Sequence, residues 1–196
     1  MDIKHLTVNQ YISINQIVKS NIDELDKEVA ICSILTGKPE DVILNMPLPE
    51  IKELFGSIGQ LNNLQVSTKP NKYINCKGNL LVGCMSVDEL STGQYIDLKT
   101  FAKEDFISNL PNMLAVIYRP IFKKYSAKTH EKVSKIIGEA KLNDVYGLLF
   151  FYSNVSESLS PTIQMSLVIA TQDIEKEMKI MQTEYKDLLN GGDGSM

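Results

Sequence analysis

Chemistry at neutral pH needs groups that titrate or attack, and this chain offers few of them. It has two histidines and three cysteines in 196 residues. His5 sits in the opening MDIKHLTVNQ, and His130 follows Lys128-Thr129 at what reads as the exposed start of a helix. Zinc sites take Cys and His at short fixed spacings. Cys32, Cys76 and Cys84 contain no CxxC pair and neither histidine has a matching partner, so no metal site is expected. A histidine-activated serine would sit in a nucleophile elbow, and GxSxG is absent. Phosphate cradles are absent too, with neither GxxxxGK[ST] nor GxGxxG in the chain. Gly56-Ser57-Ile58-Gly59 reads as a helix end. The adjacent carboxylates Glu40/Asp41 and Asp88/Glu89 could act as acid and base, but they read as first-turn helix residues, where the helix dipole favours them. Phe150-Phe151-Tyr152 reads as core. These residues point to no enzyme activity and no cofactor.

Composition supports the same reading. Hydrophobic residues at 43% and charged residues at 22% suit a soluble globular protein of one domain or two small ones. Net charge is −4 with the basic residues scattered, which is not the footprint of a nucleic-acid binder. No apolar h-region is visible at the N-terminus, and the longest apolar stretch, near Val145–Tyr152, is too short to span a bilayer. An odd number of cysteines argues against a disulfide framework. Cys76 and Cys84 could face each other across a hairpin, but reduced thiols buried as small hydrophobes, in a cytoplasm, are the expectation.

The elements that would position functional residues follow from apolar spacing. Residues 6–19 carry a helical stripe with Thr7 as N-cap. Asp23–Leu35 reads as a second helix, ended by Gly37 in a left-handed conformation. Pro39 opens a short helix to Leu44, and Pro49 opens another to about Ile58. Lys72–Cys76 and Leu80–Cys84 read as a hairpin around Lys77-Gly78-Asn79, with a third strand near Leu64–Ser67. Helices return over Ser91–Ala102, Asp105–Ile117 (with Pro111 as a kink or internal start), Ala127–Ala140 and Asp144–Asn154 with Asn143 as N-cap. Tyr118–Tyr125 reads as a loop, because Pro120 restricts Arg119. Pro161 opens a last helix to about Leu189.

Part of the chain is written twice. LTVNQYISINQIV at 6–18 aligns without a gap on LSTGQYIDLKTFA at 90–102, so that Gln10 and Tyr11 match Gln94 and Tyr95. Ala30 and Ala115 follow at similar distances, and Leu48–Leu54 echoes Leu142–Leu148. A collinear series of matches suggests one helical unit used twice.

Three stretches also carry a family resemblance. They are LTVNQYISINQIVKS with VAICSILTGKPEDVILNMPLPEIKELF, KYINCKGNLLVGC leading into LSTGQYIDLKTFAK, and NLPNMLAVIYRPIFKKYSAKTHEKV with LNDVYGLLFFYSNVSESL. Together they resemble proteins of Bacteroides-infecting and crAss-like tailed phages, namely tail assembly chaperones and structural proteins of the tail and neck. The resemblance implies that Gln10, Tyr11, Gln94 and Tyr95 orient or cap packed helices. It also implies that the turn holding Gly37 and Pro39 is structural. The helix after Pro161 is the least family-like part. Its stripe of Ile174, Met178, Met181 and Tyr185 suits packing on a partner helix.

The expected fold is mostly α within an α+β class: two related helical units flanking a small central β-hairpin, with a long C-terminal helix. Residues 1–60 form the first unit, 61–86 the hairpin insert, 87–160 the second unit, 161–190 the C-terminal helix and 191–196 a flexible tail. The expected function is non-enzymatic: binding phage tail or neck proteins during virion assembly, in the host cytoplasm, in the manner of a tail assembly chaperone. The alternatives are a ring or connector of the mature virion built as a homo-oligomer, and a host-directed binding module.

Overall fold

The computed structural model describes residues 6–47, 49–51, 54, 69–103, 105–155, 169, 172–173, 176–177 and 179–180. The protein is mostly helical with a small three-stranded antiparallel sheet in the middle of the chain, an α+β fold as the sequence predicts. It divides into two compact units. One holds Met1–Ile3, Ser13–Leu64 and Thr171–Met196, and the other Lys4–Ile12 and Gln65–Ala170. Helix α1 (Val8–Lys19) begins in the second unit and ends in the first.

In the first unit, α2 (Glu24–Thr36) packs on α3 (Glu40–Leu44). The Asp23 carboxylate accepts from the Leu25 amide at 3.0 Å and caps α2. Gly37 ends the helix at φ 70°, with its amide donating to the Ser33 carbonyl at 2.8 Å. Pro39 stands one position earlier than expected. It is the cap residue of α3, and its carbonyl accepts from the Val42 and Ile43 amides. Ile31, Cys32, Leu35 and Ile43 form the core, and burial pushes the Cys32 thiol up to about 12. Pro49, Glu50, Ile51 and Leu54 are helical, as are the described residues of the C-terminal segment. Glu177 in that segment hydrogen-bonds Glu24 of α2. Burial, then this contact, holds its carboxyl above the usual range. The stripe expected to meet a partner helix, Ile174, Met178, Met181 and Tyr185, lies outside the described residues.

The second unit is built around the sheet. Strands β1 (Tyr73–Cys76) and β2 (Asn79–Gly83) form the hairpin, closed by the two-residue turn Lys77-Gly78 rather than the three residues expected. Both turn residues have positive φ, 48° and 79°, the twist that suits a tight hairpin. The region expected for a third strand, Leu64–Ser67, includes only residues outside the described ones. The third strand of the sheet is β3 (Tyr118–Pro120), antiparallel to β2. Pro120 forces Arg119 into extended backbone, which read as a loop in isolation. It serves equally for a strand, and at a sheet edge the missing proline amide is tolerated.

Helices α4 (Thr92–Lys103), α5 (Leu110–Ile117), α6 (Ala127–Ile137) and α7 (Leu142–Val155) complete this unit. Leu110, Met113, Leu114, Ala115, Val116 and Ile117 are all buried, so α5 is apolar nearly all round and central. Pro111 falls in its first turn, where the missing amide has no helical partner to lose. Helix α7 begins at Leu142, before the expected cap Asn143. The inner sheet face packs on these helices. The Cys76 thiol donates to the Ile136 carbonyl at 3.0 Å, and a side chain on Gly83 would stand 2.5 Å from Leu148. Cys76 pairs with Asn79 rather than Cys84, and all three cysteines are free and buried. Among the described residues no helix is long and apolar enough to cross a membrane.

Candidate functional site

The residues singled out by repetition are helix-start machinery. The Thr7 hydroxyl accepts from the Gln10 amide at 3.2 Å, and Gln10 Oε1 accepts from the Thr7 amide at 2.9 Å. Ser91 and Gln94 repeat this exchange at 3.3 and 3.2 Å. Each is a capping box, two orphan amides satisfied reciprocally. Leu6 and Tyr11, like Leu90 and Tyr95, occupy the positions flanking the cap where a hydrophobic staple forms. Gln94 is buried and its Nε2 donates to the Val116 carbonyl at 2.9 Å, in the last turn of α5. Tyr11 is buried, whereas Tyr95 is half-buried beneath the Lys99 ammonium, 5.1 Å from its ring.

His130, expected at an exposed helix start, is half-buried in an aromatic and polar cluster. Its ring stacks on Phe101 with centroids 5.4 Å apart and meets the Tyr125 edge at 5.8 Å. Its Nε2 lies 3.0 Å from the Asn112 carbonyl oxygen. A carbonyl only accepts, so Nε2 carries the proton in this contact. The Tyr125 hydroxyl donates to Asp97 at 2.6 Å. Burial first, and that contact second, push the phenol up. Ser134 donates to Asn112 Oδ1 at 2.7 Å, so its proton is aimed at an amide rather than a base. The cluster braces α4, α5 and α6 and activates no nucleophile. Among the described residues no three His, Cys, Asp or Glu side chains could hold a metal ion.

The outer face of the sheet is different in kind. Antiparallel register sets Tyr73, Val82 and Arg119 in one row across the three strands. Alternation sends Ile74, Cys76, Leu81, Gly83 and Tyr118 inward and leaves this row outward. Ile121, Phe122, Lys123 and Lys124 follow β3 and complete a shallow depression of about 680 Å³. Tyr73 is 58% exposed with Lys72 Nζ 5.7 Å from its ring, Leu80 is 48% exposed, and Phe122 is wholly in solvent. Phe122 also has φ 63°, left-handed backbone. The sequence shows the pieces, Lys72-Tyr73 and Arg119–Lys124, about 46 positions apart, and neither piece is basic enough to stand out. Only the strand pairing through Val82 joins them.

No protein-family model matches this chain, and neither does any curated protein or solved structure compared with it.

Proposed function

We propose that the protein is non-enzymatic and works by binding other proteins through the outer face of its sheet. In the setting that its sequence resemblance implies, these are phage tail or neck proteins, and the role is that of a tail assembly chaperone. The observation that carries the reading is the open face itself. Tyr73, Leu80 and Phe122 offer apolar surface to solvent beside cations that have no carboxylate partner among the described residues, and exposed apolar patches with polar rims mark interaction sites. The polar clusters described above have their protons committed to fixed partners, which favours a structural part for them.

Affinity capture of tail and neck proteins from infected cells, with mass spectrometry of purified particles, tests the reading. A protein abundant in lysate, absent from particles and recovered with a tail protein supports it. A fixed copy number in particles replaces the chaperone role with that of a ring or connector. Capture of host proteins alone overturns the assembly role.

A further inference from the structure

We propose that the outer sheet face docks an extended acidic segment of a partner protein, with aliphatic or aromatic side chains set among its carboxylates. This rests on the binding-protein reading above and names the chemistry of that partner.

Phe122 supplies the first observation. Left-handed backbone is disfavoured for a bulky side chain, and a ring wholly in water adds nothing to a core. The free chain carries both penalties without return. A residue kept in such a state marks a functional position, and here it stands at the edge of a depression.

Charge supplies the second. The chain as a whole is acidic, at −4, yet Lys72, Arg119, Lys123 and Lys124 gather at this face. Among the described residues none of the four has a carboxylate within ion-pair distance, whereas Lys77 at the nearby turn is paired with Glu139 at 3.1 Å. Arg119 is the single arginine of the sequence, and its planar fork matches a carboxylate bidentately. Tyr73, Val82 and Ile121 give the depression an apolar floor between these charges. A strand-like peptide presents alternate side chains roughly 7 Å apart on one face. It can set an apolar side chain on this floor and bring flanking carboxylates to the cations. Single-stranded nucleic acid would want stacking platforms along a basic track. One aromatic here already has an ammonium over its ring, and the cations flank a compact floor, so the acidic peptide fits better.

Selection of a displayed random-peptide library with the purified full-length protein tests this directly. Peptides rich in Glu and Asp together with Leu, Ile or Phe are expected, binding more weakly as salt rises. The double variant Lys123→Glu/Lys124→Glu should weaken the selected peptides by about tenfold or more. Phe122→Gly should weaken them too while raising the melting temperature, because glycine accepts the left-handed backbone freely. That opposite pair of effects would not arise from a residue with only a structural part. Neutral or basic peptides, or no enrichment, would overturn the proposal. So would a labelled oligo-dT that binds the wild type and not the charge-reversed variant, or self-association abolished by that variant. Peptide selection reads the surface alone, and tail-protein capture reads the biological setting alone, so either can fail while the other holds.

Discussion

The two helix starts that share the Gln-Tyr-Ile string have the same cap and different anchors. At α1 the anchor is backbone. The Leu142 amide donates to the Leu6 carbonyl at 2.8 Å, and the Val8 and Asn9 amides donate to the Ala140 and Gly138 carbonyls. At α4 the anchor is a side chain, with Gln94 reaching the Val116 carbonyl. The aromatic that follows the cap reverses its role in step. Tyr11 is 4% exposed, while Tyr95 lies half-open under Lys99. One local signature has been fitted into two tertiary contexts. Since it is a complete recipe for starting a helix, its repetition requires no shared ancestry of the segments that follow. Those segments diverge at once: α2 runs thirteen residues and leads to α3, whereas α5 runs eight and passes directly into β3.

The largest expected difference is between the tyrosines. From the sequence, Tyr11→Ala and Tyr95→Ala should cost alike, and the burial of the two rings replaces that expectation. Removing the buried Tyr11 ring should cost about 3–5 kcal/mol, and removing Tyr95 about 1 kcal/mol or less. Urea denaturation of both variants reads the gap directly. Equal losses would mean that the two contexts are energetically the same and would break the contrast.

The glutamines should reverse that order. Gln94→Ala removes a cap and leaves the Val116 carbonyl without its partner in a buried place, for about 2–3 kcal/mol. Gln10→Ala loses the cap contact, for about 1 kcal/mol. A Gln94→Glu variant sharpens the test, because a carboxylate can accept from Ser91 but cannot donate to Val116. Stability close to wild type in that variant would remove the side-chain anchor from the account.

Against these differences the cap hydroxyls give a control. Thr7→Ala and Ser91→Ala should each cost about 1 kcal/mol, since both lose the same kind of bond to the first-turn amide. A wide split between them would show that the boxes themselves differ, and not only their surroundings.

The sequence carries local features well and tertiary ones poorly, and the reason is visible in particular residues. Thr7 and Gly37 act within a few positions of themselves, so their roles as caps could be read from their neighbours; Asp23, which reads as a first-turn residue, stands one position earlier as the cap of α2. Lys77-Gly78 marks the hairpin for the same reason, although the loop is one residue shorter than its string suggests. Arg119-Pro120 was ambiguous because an extended dipeptide suits a loop or a strand, and only pairing with Leu81 and Val82 decides between them. His130 looked exposed because its own helix is polar nearby. Phe101 and Tyr125, which half-bury it, come from α4 and from the segment before α6. The outer-face site was hidden most thoroughly, since its row of residues exists only across three strands.

The smallest expected effect follows acid. A side-chain contact lies beside the backbone anchor of α1: the Glu139 carboxylate accepts from Asn9 Nδ2 at 2.8 Å and pairs with Lys77 at 3.1 Å. The Lys77 contact first, and the Asn9 contact second, hold its carboxyl below the usual range. A depressed carboxyl stabilises the fold above its unfolded value, near 4.5, and that contribution fades as pH falls through the lower folded value. The bonds that anchor α4 through Ser91, Gln94 and Val116 involve no carboxylate, so acid should loosen the start of α1 before that of α4. The side chain is about a third exposed, so screening keeps the effect to about 0.5 kcal/mol. Amide exchange at Val8 and Asn9, followed from neutral pH into that acid window after correction for intrinsic rates, should show protection falling earlier than at Gln94 and Tyr95. In Glu139→Gln the difference should vanish. Parallel loss at both helix starts in the wild type would place the acid sensitivity elsewhere and leave the two anchors alike in charge dependence.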